Sequence, residues 1–125
     1  MATILLADDD QVLRDMYRMR LVSAGYIVQE ATDGVMVLEE AKKVLPGLIL
    51  LDIMMPKMNG LDVLKVLKSD KETQNIPVII MTALAQDLSQ LDAITKKAVA
   101  VISKSETMPD RLVLTVNNIL KVAGN

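Results

Sequence analysis

The fold is decided by the stretch Leu48-Ile49-Leu50-Leu51-Asp52-Ile53-Met54-Met55-Pro56-Lys57-Met58-Asn59-Gly60. Its first four residues are apolar, and turn signals lie on both sides, Pro46-Gly47 before the stretch and Asn59-Gly60 at its end. A short, unbroken apolar run is typical of a strand that is buried on both faces, as in a parallel sheet. Asp52 is then the first polar side chain at the C-terminal end of this strand, where open α/β sheets bind ligands. Taken alone, Asp52 could equally cap the next turn.

Apolar patterns on both sides of this stretch predict further strands and helices in alternation. The predicted strands cover residues 3–7, 26–28, 48–52, 77–81 and 98–102, and the predicted helices cover 11–24, 33–45, 60–68, 87–97 and a last segment that begins at Pro109. Regular alternation of this kind indicates a doubly wound parallel sheet. We therefore expect a five-stranded α/β fold flanked by five helices, in three α/β/α layers of the flavodoxin-like type.

Composition narrows the chemistry that is available. The chain has 125 residues, which suits one domain, and it contains neither Cys nor His, which excludes disulfides, thiolate chemistry and imidazole bases. A net charge of −2 argues against a nucleic-acid surface. No apolar run has the length of a membrane span, and no signal peptide is visible, so we expect a cytoplasmic protein that contacts no membrane.

Polar side chains follow four of the five predicted strands. They are Asp8, Asp9 and Asp10 after the first strand, Asp52 after the third, Thr82 after the fourth and Lys104 after the fifth. The carboxyl ends of parallel strands meet at one edge of a sheet, so these groups converge if the first, third, fourth and fifth strands are neighbours. The pattern does not give the strand order.

Several carboxylates in one pocket repel one another unless a cation is present. An all-oxygen site suits Mg2+, which commonly also contacts a phosphoryl group. A lysine and a threonine hydroxyl can bind phosphoryl oxygens, and an aspartate can act as the nucleophile and form an aspartyl phosphate. Asp52 is best placed for that role because it stands alone at the end of the central strand, whereas the acidic pair after the first strand would hold the metal.

The same residues closely match a known family. Asp8-Asp9, Asp52 within the run Pro56-x-Met58-x-Gly60, Thr82-Ala83 and Lys104 together resemble the receiver domain of bacterial two-component response regulators, of the chemotaxis-receiver type. The resemblance extends from Thr3 to about Val122. It implies a single receiver domain over residues 1–125 with no output domain, acting as a signalling module rather than an enzyme for external substrates.

The resemblance also implies a role for each site residue. Asp52 would accept phosphate from a phosphohistidine on a histidine kinase or phosphotransfer protein, and a downstream effector would read the result. The carboxylates of Asp9 and Asp52 and the backbone carbonyl of Met54 would hold Mg2+, with Asp8 in the outer shell of the metal. Thr82 and Lys104 would bind the phosphoryl oxygens.

Three departures from the family pattern affect signal readout. Ser105 replaces the proline that usually follows the lysine, which predicts a trans or a strained peptide bond there. Val101 replaces the usual aromatic switch residue, and Lys97-Ala98-Val99-Ala100 replaces a more polar segment. All three fall on the face formed by the fourth predicted helix, the fifth strand and the fifth predicted helix. We expect the protein to be a monomer or to form a weak dimer through this face.

Other interpretations remain open at the level of sequence. Asp8-Asp9-Asp10-Gln11-Val12 fits the nucleophile motif of haloacid dehalogenase-like phosphatases, although no second acidic pair follows near the C-terminus. A receiver-like domain that no longer switches is a second alternative. A flavodoxin-like cofactor module is disfavoured because the first loop is acidic. Asp10 is better explained as a helix N-cap than as a ligand. Arg14, Tyr17 and Arg18 suit either partner docking or a solvated helix face.

Overall fold

The computed structural model describes residues 2–82, 97–104 and 109–123. Within them, five parallel strands form one sheet in the order β2-β1-β3-β4-β5. The strands are β1 (Thr3–Ala7), β2 (Ile27–Ala31), β3 (Leu48–Asp52), β4 (Val78–Thr82) and β5 (Ala100–Ser103). The predicted fold class is confirmed, and the neighbours that the convergence of polar groups required, β1, β3, β4 and β5, do lie side by side.

Helices cover both faces of the sheet. They are α1 (Gln11–Ser23), α2 (Gly34–Val44), α3 (Gly60–Ser69) and a C-terminal helix (Pro109–Ala123). One apolar cluster joins α2 and α3 to one face of the sheet, and a second joins α1 and the C-terminal helix to the other face. The fourth predicted helix, at 87–97, lies outside the described residues except for Lys97, and the peptide bond between Lys104 and Ser105 lies outside them too.

Three helices begin where a polar side chain caps them. Asp10 Oδ1 accepts hydrogen bonds from the backbone N–H groups of Val12 and Leu13, so the predicted N-cap role of Asp10 is confirmed. Asp33 caps α2 and Asn59 caps α3 in the same manner. Such caps satisfy N–H groups that have no partner inside the helix, and they fix the point at which each loop after a strand turns into a helix.

Two predictions about individual elements were wrong. The second strand extends to Ala31 rather than ending at 28, because β2 is an edge strand whose polar residues reach the surface while the backbone pairs with β1. The fifth strand covers 100–103 rather than 98–102. Among the described residues, no helix is long and apolar enough to cross a membrane.

The helix α1 buries its tyrosine and exposes two of its apolar side chains. Val12 and Met19 are 77% and 65% exposed, whereas Tyr17 is only 2% exposed and packs in the core with Leu21. Leu13, Tyr17 and Leu21 lie four residues apart and form the apolar face that packs against the sheet. Tyr17 is therefore neither a docking residue nor a solvated one.

The loop between β3 and α3 turns back tightly onto the strand. A methyl group added at Gly60 would overlap the backbone carbonyl of Asp52, and one added at Gly34 would overlap the backbone of Met58. Gly60 N–H donates a hydrogen bond to Ile53 O at 2.8 Å. Because backbone atoms rather than flexible side chains occupy the space, these two positions accept no larger residue without a shift of the loop.

We expect Gly60→Ala to lower the free energy of unfolding by about 1–3 kcal/mol, since overpacking against backbone outweighs the better helix propensity of alanine. Gly47→Ala is the matched control, because a methyl group there meets its neighbours at 3.6 Å, an ordinary contact distance. Urea unfolding of both variants checks the prediction. A Gly60→Ala protein that is as stable as Gly47→Ala would contradict the close approach.

Candidate functional site

Three carboxylates meet at the carboxyl edge of the sheet. Asp8 and Asp9 follow β1, and Asp52 ends the neighbouring strand β3. One oxygen of each carboxylate lies within 4.8 Å of an oxygen of the other two. Asp8 is fully buried and Asp52 is 3% exposed, whereas Asp9 is exposed. The convergence that the strand ends predict is therefore present for these three residues.

Lys104 provides the cation that faces these acids. Its Nζ atom lies 2.7 Å from Asp8 Oδ2 and 3.1 Å from Asp52 Oδ2, and its side chain is 10% exposed. The backbone N–H of Lys104 donates to Thr82 O at 2.8 Å, which extends the pairing of β5 with β4 by one step. Burial acts to lower the pKa of Lys104, but Asp8 and Asp52 outweigh it and raise the pKa, so the ammonium stays charged.

One ammonium does not neutralise the cluster. Burial raises the pKa of Asp52 to about 6, although Lys104 acts to lower it, and Asp8 raises it further. Asp8 Oδ2 is buried and pairs with the same ammonium at 2.7 Å, so one positive charge serves two buried carboxylates. Surplus negative charge and an all-oxygen donor set together fit a hard divalent cation such as Mg2+.

Thr82 and Met54 lie beside this cluster. Thr82 ends β4, between β3 and β5, and is buried. Met54 is 62% exposed, and its backbone N–H lies 3.4 Å from Asp52 Oδ1 in a long hydrogen bond. Met54 and Asp9 line an open cavity of about 520 Å³, together with Met55, Pro56 and Asn59. The exposed side of the cluster therefore opens into a space large enough for a small donor group.

Arg14 on α1 reaches the site through a contact that the sequence pattern does not predict. Arg14 Nη1 donates a 2.8 Å hydrogen bond to the backbone oxygen of Asp8, and Arg14 Nε lies 3.1 Å from Glu30 Oε1. The Arg14 side chain is 13% exposed, so this arginine is not a solvated surface residue. Arg18 also pairs with Glu30 but is 37% exposed, and it does not reach Asp8 in the described contacts. The sequence signal for the contact between Arg14 and Asp8 is the position of Arg14 one turn after the N-cap residue, Asp10.

Comparison with known proteins identifies the family. The response regulator receiver domain matches residues 4–117, nearly the whole chain. The chain belongs to the response regulator receiver family. Receiver domains are the signalling modules of two-component systems and carry a phosphoacceptor aspartate, and the cluster of Asp8, Asp9 and Asp52 in this receiver is the corresponding acidic pocket.

Individual relatives agree with this assignment. The receiver is 31% identical over 118 residues to the polar-differentiation response regulator DivK of Brucella ovis, covering 94% of this chain and 95% of DivK. It is 43% identical over 86 residues to the DNA-binding dual master transcriptional regulator RpaA of Synechocystis sp., covering 69% of this chain but 36% of RpaA. The chain thus spans about a third, or less, of the full length of the first curated relatives that it matches, although it spans nearly all of DivK.

Solved structures show the same architecture. The response regulator TrrA of Thermotoga maritima, solved in complex with Mg2+-BeF, superposes with a TM-score of 0.85 at 28% identity over 96% of this chain and 100% of TrrA. The chemotaxis response regulator CheY4 of Vibrio cholerae superposes with the same TM-score and identity, covering 96% of this chain and 99% of CheY4.

We expect Asp52→Asn to stabilise the metal-free receiver at neutral pH, by about 1–3 kcal/mol. The folded-state pKa of about 6 exceeds the unfolded value, so ionised Asp52 costs stability above pH 6, and the cost disappears as the pH falls toward the unfolded pKa. Urea unfolding in EDTA at pH 7.5 and at pH 4.5 measures the stability gain of Asp52→Asn under each condition. Glu39→Gln, at an exposed position of α2, is the control for lost charge. Equal stability gains at the two pH values would contradict a raised pKa of Asp52.

Proposed function

We propose that Asp52 is the phosphoacceptor of this receiver and that it takes the phosphoryl group from a phosphohistidine on a histidine kinase or phosphotransfer protein. The observation that carries the proposal is the environment of the Asp52 carboxylate. It ends the central strand, it pairs with Lys104 at 3.1 Å, and it lies within reach of the carboxylates of Asp8 and Asp9. Asp8 shares the same lysine but is fully buried, whereas Asp52 is followed two residues later by Met54, which lines an open cavity together with Asp9.

The proposed reaction is a direct transfer between two groups. A carboxylate oxygen of Asp52 forms a bond to phosphorus while the bond between phosphorus and the donor imidazole nitrogen breaks. The ring, protonated by solvent on its other nitrogen, leaves as neutral imidazole. The carboxylate must be ionised to attack, and Lys104 favours that form. The ammonium of Lys104 and the hydroxyl of Thr82 are our candidates for holding phosphoryl oxygens as charge develops on them.

Mg2+ is the cofactor that we assign to the acidic cluster. The carboxylates of Asp9 and Asp52 and the backbone carbonyl of Met54 would hold the ion, and Asp8 would act in its outer shell. When bound, Mg2+ supplies positive charge to the phosphoryl oxygens. On this proposal the receiver catalyses only its own phosphorylation and dephosphorylation, and it has no external substrate to turn over.

The phosphatase alternative fits the structure less well. In that interpretation Asp8 would be the nucleophile and Asp10 would belong to the same motif. Asp8 is fully buried, and Asp10 Oδ1 already accepts two backbone hydrogen bonds as the N-cap of α1. A nucleophile must be reached by its substrate, and Asp52 lies two residues before Met54, which lines an open cavity, whereas Asp8 is fully buried.

The surface around β5 and the C-terminal helix is where we propose that partners bind. Val99, which directly precedes β5, is 53% exposed, and on this side of the molecule we expect a weak dimer or a downstream effector to bind. With Val101 in place of an aromatic ring, readout on this side would proceed without a ring flip. A cytoplasmic location and the absence of direct nucleic-acid binding remain predictions.

Incubation with Mg2+ and acetyl phosphate should give one phosphoryl adduct, detectable by intact mass, which is stable in acid and lost in base. Asp52→Asn should abolish the adduct, because Asp8 is fully buried and, among the described residues, Lys104 pairs with Asp52 and not with Asp9. Asp62→Asn, at an exposed position of α3, should retain the adduct. An adduct that survives in Asp52→Asn, or turnover of an external phosphomonoester, would exclude the proposed acceptor.

The aspartyl phosphate should hydrolyse slowly, with a half-life of minutes or longer at neutral pH in Mg2+. Met54 presents an exposed thioether beside Asp52, and an apolar side chain cannot orient an attacking water. Met54→Asn should shorten the half-life severalfold, whereas Met16→Asn on α1 should leave it unchanged. Loss of the phosphoryl group within seconds in the unaltered protein would contradict this explanation.

A further inference from the structure

The backbone on both sides of Asp9 is held by hydrogen bonds to its flanking peptide groups. The oxygen of the Asp8–Asp9 peptide accepts a 2.8 Å hydrogen bond from Arg14 Nη1. The N–H of the Asp9–Asp10 peptide donates a 2.9 Å hydrogen bond to Asp8 Oδ1. Because each peptide group is planar, fixing one of its polar atoms restricts the whole plane and both attached Cα atoms. Two restricted planes fix the direction of the Cα–Cβ bond from which the exposed Asp9 carboxylate extends.

Arg14 is itself held in place from the edge of the sheet. Its Nε atom lies 3.1 Å from Glu30 Oε1 on β2, so the guanidinium bridges β2 and the turn after β1. The same turn is joined to β2 a second time, by Asp8 N–H donating to Ala31 O at 3.2 Å. A planar guanidinium can make both contacts at once in fixed directions, which a lysine ammonium cannot reproduce.

We propose that Arg14, oriented by Glu30, is a positioning residue that sets the Mg2+ affinity of the receiver by fixing the Asp8–Asp9 peptide plane. The inference rests on the proposed Mg2+ site and adds a determinant outside the ligand set. Groups that orient metal ligands commonly change metal affinity by 10- to 100-fold when they are removed. Here the oriented ligand would be Asp9, whose side chain is otherwise exposed to solvent.

Electrostatics alone makes the opposite prediction. Arg14 carries a positive charge close to an anionic cluster, so its removal should strengthen the binding of a cation if charge were all that mattered. A positioning role predicts weaker binding instead. The direction of the change therefore separates the two roles, and Arg18 offers a matched control because it also pairs with Glu30 and also carries one positive charge.

The experiment compares Mg2+ titrations of the unaltered receiver, Arg14→Met, Arg14→Lys and Arg18→Met, followed by amide NMR shifts at constant ionic strength. We expect the dissociation constant to rise about tenfold or more in Arg14→Met, to rise less in Arg14→Lys, and to remain unchanged or fall in Arg18→Met. Thermal unfolding in EDTA checks that Arg14→Met and Arg18→Met lose similar stability. The rate of acetyl phosphate labelling in Arg14→Met should recover when Mg2+ is raised to saturation.

Each other result has a distinct meaning. Tighter or unchanged Mg2+ binding in Arg14→Met, with normal binding by the unaltered receiver, would overturn the positioning role and leave the proposed function intact. Equal weakening in Arg18→Met would assign the effect to general stability and would also overturn it. No Mg2+ binding by the unaltered receiver would overturn both the inference and the proposed metal site. If Arg14→Met does not fold, Arg14→Lys decides the question, because it retains the charge and loses the bridging geometry.

Discussion

The site depends on the reach of one lysine side chain across the sheet. Lys104 follows β5, yet its ammonium pairs with Asp52 at the end of β3 and with Asp8 after β1, so it crosses β4 and lies over the centre of the sheet. Neighbouring strands are about 5 Å apart, which makes this a distance that only a long side chain can bridge. Without this cation the two buried acids, Asp8 and Asp52, would lie next to each other with no compensating charge. The lysine can compensate the acids only because the strand order places β5 two strands from β3 and three from β1.

The sequence predicted most of the fold because the central strands are unambiguous. β3 and β4 are continuous apolar runs whose residues are fully or almost fully buried, and no helical period competes with them. The edges were harder to predict. β2 contains Gln29 and Glu30, which an edge strand tolerates because part of it faces water, and polarity alone makes such a segment resemble a loop. In α1 two apolar faces compete, and Tyr17 decides between them through an aromatic body that a simple apolar count undervalues.

The candidate site could be predicted to the extent that it consists of strand ends. Asp8, Asp9, Asp52, Thr82 and Lys104 each stand directly after or at the end of a strand, so topology alone assembles them. Arg14 could not be predicted, because its partner is a backbone oxygen and its second partner, Glu30, lies on a strand whose length was underestimated. Contacts between side chains and backbone depend on the exact approach of two elements, and residue types along the chain do not encode that approach. The effects of Ser105 and of the segment at 83–96 lie outside the described residues.

The two apolar clusters have a consequence for how such a protein can diversify. One cluster lies under α2 and α3 and the other under α1 and the C-terminal helix, and the sheet separates them. Substitutions in one layer are therefore shielded from the other, and those far from contact tend to add independently. Residues of the helices can change on one side while the acidic edge, fixed by strand order, keeps its geometry. In this architecture the sheet positions the acidic cluster, and the two helical layers can vary independently of each other.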